Sequence, residues 1–230
     1  MRKLEKIAFS YIAWAFYAFA AVFCGSEIAL HSNMPAYLSD LLVLLIYLAP
    51  VPVMAIAGWI HTEPKAGKPA SHGIGAAEWM LLAFAGQLAI NLAASVFLPG
   101  PKLNNVTNTE LYMFYVSVAC GEECIFRLFL VRAVLWAGFY LTRNRWAVWS
   151  VAVGLSALLF MLSHAYSPVG FWLQGQLTPG VYSNNPAMLV ATFGAGAWLA
   201  GVFIASKFNA AAVMGAHAIY DAMVDLQLVI

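Results

Sequence analysis

Long apolar runs separated by short polar breaks make up most of this chain. A helix needs about 20 apolar residues to cross a bilayer. Runs of that order extend over Ile7–Cys24, Leu38–Ile60, Trp79–Phe97, Glu110–Leu141, Trp146–His164, Pro186–Phe208 and Ala210–Ile230. The pattern predicts an all-α, polytopic transmembrane helix bundle of about seven spans. Pro50 and Pro52 each remove a backbone donor and predict a kink in the second span. The fourth run is too long for a straight perpendicular helix, so it should tilt or protrude. Gly194, Gly196, Ala197, Ala200 and Gly201 give the sixth a small-residue face for close helix packing.

The breaks carry the turn residues. Gly25–Tyr37 holds Glu27, His31 and Pro35, and His61–Glu78 holds Pro64, Lys65, Gly67, Lys68, Pro69, His72 and Gly73. Leu98–Thr109 opens Leu98-Pro99-Gly100-Pro101; its Asn105-Val106-Thr107 sequon is common by chance and has no weight here. Ala165–Asn185 is rich in Gly, Pro, Ser and Asn and carries Phe171, Trp172 and Tyr182. It reads equally as a re-entrant or lid segment and as an ordinary interfacial loop.

Composition agrees with the pattern. The chain is 63% hydrophobic and 9% charged, against about 25% charged in soluble domains. Residues 1–230 read as one membrane domain, with the chemistry in 110–230 and accessory spans in 7–97. The lipid bilayer is the expected surrounding, and a net charge of +1 without a basic tail gives no reason to expect nucleic acid.

Met1-Arg2-Lys3-Leu4-Glu5-Lys6 before an apolar run imitates a signal peptide, but the run exceeds a usual h-region. Phe23 stands where a lipoprotein site before Cys24 wants a small residue, so the first span should be retained. With the N-terminus cytoplasmic, eight basic residues (Arg2, Lys3, Lys6, Lys65, Lys68, Arg143, Arg145 and Lys207) lie inside and one, Lys102, outside. That bias and the short chain suggest a multi-pass protein of a prokaryotic plasma membrane. Cys24, Cys120 and Cys124 are odd in number and lie in or beside apolar runs, which argues against disulfides. Cys120 and Cys124 read as small packing residues, a metal or redox role being the alternative.

What composition leaves unexplained is Gly121-Glu122-Glu123-Cys124-Ile125-Phe126-Arg127. Each charge at membrane depth costs roughly 2.5–3.5 kcal/mol on insertion scales. Glu123 stands four residues before Arg127, the favourable order for an intrahelical ion pair, and pairing is nearly obligatory in a low dielectric. Glu122 points about 100° away round the helix and is left to face a polar cavity, where a carboxylate suits a general base. The competing reading makes all three interhelical glue.

Two further sets accompany it. Phe160 and His164 share a face at the end of the fifth run; alone, a histidine there is commonly a cap. His217 and Asp221 share a face in the seventh, and a carboxylate beside imidazole fixes its tautomer. At about 1.5 Å per residue, Glu122 lies roughly 16 Å below the outer end of its span. His217 and Asp221 lie roughly 12–18 Å from the inner end of theirs. His164 falls near the outer surface, which conflicts with a shared site.

Glu122-Glu123-x-x-x-Arg127, Phe160-x-x-x-His164 and His217-x-x-x-Asp221, in that order on separate spans, resemble the CPBP membrane family. This family is named for CAAX proteases and bacteriocin processing, includes type II CAAX prenyl endopeptidases, and is also called the glutamic-type intramembrane proteases. The resemblance runs from Val118 to Met223. It implies an intramembrane endopeptidase acting on a peptide or protein with a membrane-associated segment. It implies that Glu122 with His164 positions and deprotonates a water, and that His217 and the residue four later stabilise the oxyanion. Glu123, Arg127 and Phe160 would support them. Asp221 departs from the commoner asparagine: an ionised aspartate can only accept a hydrogen bond. Either it is protonated, or it orients His217, the reading preferred.

No cofactor is expected. Zinc on Glu122, His164 and His217 is the alternative, disfavoured by the lack of HExxH. Two non-peptidase readings compete: a membrane scaffold or bacteriocin self-immunity protein of the same family, and a proton-coupled transporter. The lack of an evident inverted repeat counts against the transporter.

Overall fold

A computed structural model of the chain describes residue 38 and residues 75–97, 119–167, 178–180 and 182–225. The first span, nearly all of the second, the Leu98–Thr109 loop, the start of the fourth span and the end of the seventh lie outside the described residues. So do most of the basic residues used to orient the bundle, and Phe171 and Trp172.

Five helices are described: α1 (Ala76–Phe97), α2 (Ala119–Leu141), α3 (Arg145–Ala165), α4 (Pro186–Ala205) and α5 (Ala210–Asp225). Four of them, α1 to α4, are long and apolar enough to cross a membrane. Many of their large apolar side chains, among them Leu81, Val96, Val151 and Val190, point outward. That is a liability in water and the required surface in lipid. The protein is therefore an all-helical, multi-pass membrane protein. One short exception is a two-residue antiparallel ladder between β1 (Tyr166–Ser167) and β2 (Thr178–Pro179), at the end of α3.

Local chemistry sets the ends. Asn144 caps α3 by accepting from the Ala147 amide at 3.2 Å, and Asn185 caps α4 by accepting from the Met188 amide at 3.2 Å. Pro186 then sits in the first turn of α4, where a missing N–H is harmless. The sixth run was expected to reach Phe208, but α4 ends at Ala205. Lys207 and Phe208 adopt left-handed conformations, φ 60° and 67°. The Phe208 amide donates back to the Phe203 carbonyl at 2.7 Å, closing the end as a left-handed cap does.

α2 contains a wider turn than an α-helix allows. From Cys124 to Val131 it is a π-helix, continuing as α from Arg132. Such segments are rare and recur at functional sites. Inside it, the Phe126 carbonyl receives the buried Ser156 hydroxyl from α3 at 3.1 Å.

α2 turns tightly into α3, α3 packs along α4, and α1 packs along both α4 and α5. Small residues permit this, as the sixth run implied. The Trp198 indole lies over Gly86 and donates to the Ala83 carbonyl at 3.0 Å. A side chain on Gly196 would start 3.0 Å from the Phe160 ring and 3.2 Å from the Ala157 backbone. Backbone cannot yield as a side chain can. Gly196→Leu should therefore cost about 1–3 kcal/mol or more through overpacking, read as a lowered thermal unfolding midpoint in detergent; an unchanged midpoint would mean that α3 and α4 are not this tightly apposed.

Candidate active site

The hairpin of α2 and α3 removes the depth conflict for His164. As many residues separate Glu122 from Leu141 as separate Arg145 from His164, so the two sit at similar heights above the turn, the wider π-turns of α2 shortening its arm somewhat. The earlier estimate measured Glu122 from Glu110, at the far end of the span. His217 is raised to that level by a different device. The corner between α4 and α5 lies beside the middle of α2, with the Arg132 guanidinium 5.3 Å from the Phe208 ring centre. α5 thus starts well above the α2–α3 turn, and two helical turns bring it to His217.

At the meeting point, Glu122 Oε1 is 3.7 Å from His164 Nε2, and its Oε2 is 3.9 Å from His217 Nε2. Asp221 Oδ1 is 3.6 Å from the same His217 nitrogen. Glu122, His164 and Asp221 keep side-chain exposures of 21%, 17% and 24%, whereas Glu123 and Arg127 have none. The division between the adjacent glutamates is thus a difference in access. One is partly exposed and the other is sealed in the core.

Glu123 does more than the spacing suggested. Its Oε1 meets Arg127 Nη1 at 3.1 Å and also accepts from His217 Nδ1 at 2.8 Å. The short contact on His217 therefore comes from Glu123, while Asp221 stands on the opposite, Nε2 side. Asp221, expected to orient that ring, is therefore joined on it by Glu123. The sequence could not signal it, because the spacing pairs His217 only with its own helix. Arg127, the largest wholly buried side chain described, donates from Nη2 to the Gly196 carbonyl at 3.3 Å. Its guanidinium lies over the Phe160 ring at 4.6 Å. Phe160 is the hub of the apolar side: its ring meets Phe126, His164 and His217 edge to face at 5.2, 4.7 and 5.8 Å.

The geometry also fixes both imidazoles. Ser163 spends its hydroxyl proton on the Phe160 carbonyl at 2.7 Å. His164 Nδ1 faces that same carbonyl at 2.9 Å, so this nitrogen carries the hydrogen. Its Nε2 then faces Glu122, and in a neutral ring that nitrogen carries the lone pair. His217 Nδ1 faces a carboxylate and is likewise protonated. Tyr182, which motif spacing did not single out, stacks on the His164 ring at 5.4 Å and 12°.

Cys120 and Cys124 are free thiols, and no group of three or more His, Cys, Asp or Glu among the described residues has the arrangement of a metal site.

In this bundle of long apolar helices, one carboxylate and two imidazoles converge beside a buried ion pair. The chain matches the family model for type II CAAX prenyl endopeptidase Rce1-like proteins over residues 106–223, which contain every residue of this site. It belongs to that family, and the family is one of proteases. Comparisons with curated proteins and with solved structures returned no match.

Removing one member of the buried pair leaves a charge without its partner. Arg127→Met should destabilise the fold by about 3–5 kcal/mol, whereas Arg127→Met with Glu123→Gln should recover part of that loss. Thermal unfolding of the three proteins in detergent measures the coupling; additive losses would mean that the two side chains act independently.

Proposed function

We propose that this protein is a glutamic-type intramembrane endopeptidase that hydrolyses a peptide bond near a membrane-associated segment of its substrate. The observation that carries the reading is the 3.7 Å separation of Glu122 Oε1 from His164 Nε2, with Nδ1 already committed to the Phe160 carbonyl. Both facing atoms are acceptors. A polar gap beyond 3.5 Å suits a bridging water, and a water between two acceptors donates both hydrogens while its lone pairs stay free. As it attacks the scissile carbonyl, Glu122 takes its proton and later delivers it to the leaving amine.

The developing oxyanion needs a donor. His217 Nδ1–H is held by Glu123, so Nε2 can donate only from the imidazolium. Three carboxylates, Glu123, Glu122 and Asp221, each lie within 3.9 Å of that ring's nitrogens. Asp221 contributes charge on the Nε2 side, where an asparagine would offer an amide donor instead. Glu123 and Arg127 hold His217 in register and do not touch substrate.

A prokaryotic plasma membrane is the proposed location. Exported proteins with C-terminal sorting tails, and bacteriocin or pheromone precursors, are the proposed substrates. The tail is favoured by a site at mid-to-outer depth under the orientation read from basic residues. No step is assigned to a metal. Full activity in strong chelator, with no metal in the purified protein, is the expected result; loss restored by zinc would favour a metallopeptidase.

Comparing the termini of the membrane proteome with wild type and with Glu122→Gln tests the reading. Glu122→Gln and His164→Ala should each abolish the new termini, a loss of at least about 100-fold, while the purified variants unfold near the wild-type temperature. Asp221→Asn should keep much of the activity. Termini that persist in Glu122→Gln, or a variant that loses its fold instead of its activity, would favour the scaffold or immunity reading.

A further inference from the structure

The segment returning to α4 is pinned on His164 by backbone as well as by a ring. The Gly180 amide donates to the Ala165 carbonyl at 2.9 Å, and the Tyr182 amide donates to the His164 carbonyl at 3.0 Å. Gly180 passes so close that a side chain there would start 2.4 Å from the His164 oxygen. Only glycine fits such an approach. Beyond Tyr182, the Asn185 amide donates to the Tyr182 carbonyl at 2.9 Å, and buried Asn185 caps α4. Tyr182 is thus held from both sides, through α3 behind it and α4 ahead.

Its ring completes the enclosure of His164. One edge of the imidazole is fixed by the Phe160 carbonyl, Phe160 meets it edge to face, and Tyr182 stacks on it nearly parallel. Offset stacking of this kind prefers one orientation over rotation about the ring bond. Without the Tyr182 ring, the imidazole keeps Phe160 as its aromatic support among the described residues, and Nε2 can swing away from Glu122.

Resting on the peptidase reading above, we infer that Tyr182 is the positioning residue for His164, stacking on its ring so that Nε2 stays aimed at Glu122. The ring performs this task; the phenol hydroxyl is not required for it. The short strand pair and the Tyr182–Asn185 turn are then the frame that carries the ring to the site.

Tyr182→Phe and Tyr182→Leu test this, with two readouts on the full-length protein in detergent. In cleavage assays, Tyr182→Leu should lower kcat by about 10–100-fold, the scale of a misplaced catalytic group, with KM within about twofold; Tyr182→Phe should retain kcat. In the 15N spectrum of histidine-labelled protein, with His164 identified by its loss in His164→Gln, wild type and Tyr182→Phe should show the Nδ1–H tautomer. Tyr182→Leu should show a tautomer mixture. A His164 signal in Tyr182→Leu equal to wild type, or a Phe variant that behaves as the Leu variant does, would overturn the inference. The spectrum does not depend on turnover, so an inactive wild-type protein would sink the peptidase reading and leave Tyr182 still decided.

Discussion

A guanidinium with no exposed surface has to be answered by its neighbours, and four helices of this bundle are committed to answering Arg127. Glu123 supplies the opposite charge from one turn earlier on α2. α4 supplies the Gly196 carbonyl, α3 the Phe160 ring, and α5 reaches the same carboxylate through His217. An unpaired buried charge is strongly destabilising, so these contacts form together only when all four helices are in register; among the described residues, Arg127 Nε and Nη1 and Glu123 Oε2 still lack a hydrogen bond. The assembly that neutralises the core is the same one that brings Glu122, His164 and His217 together. Stability and site geometry thus share one set of contacts.

Helix lengths then do the alignment. A tight turn with arms of equal residue number brings Glu122 and His164 to similar heights, the π-segment of α2 making a small difference between the arms. His217 has no such symmetry to rely on. Its height is set by where the chain turns from α4 into α5, and the left-handed residues Lys207 and Phe208 end α4 early enough to put that turn beside the middle of α2. Non-glycine residues in this conformation are uncommon. Here Phe208 is buried, packs on Phe203 and lies under Arg132, contacts that offset the local cost.

Family membership sets the class of chemistry, and the residues set how it is arranged. Two adjacent glutamates on one helix differ by helical phase, and phase becomes access: Glu122 meets solvent while Glu123 is sealed. Each imidazole has one nitrogen fixed by an acceptor outside the pocket, leaving the other to face Glu122. The π-segment that follows directly is tied to α3 by the Ser156 hydroxyl.

Much of this was legible in the chain itself. The apolar runs gave membrane helices from Trp79, Trp146 and Pro186 nearly to their ends, since length and hydropathy are local properties that a bilayer reads directly. Motif order and helical spacing gave Glu122, Glu123, Arg127, Phe160, His164, His217 and Asp221, because residues four apart share a face before any tertiary contact forms. Spacing within one helix cannot report partners on another. The Glu123–His217 bond joins positions 94 apart in sequence, and it adds Glu123 to Asp221 as a carboxylate on that ring. Nor can it report a loop residue such as Tyr182, whose contact with His164 exists only once the chain has turned back between α3 and α4. The sequence determined which groups could do chemistry at membrane depth; the packing of α2 to α5 decided which of their atoms face one another.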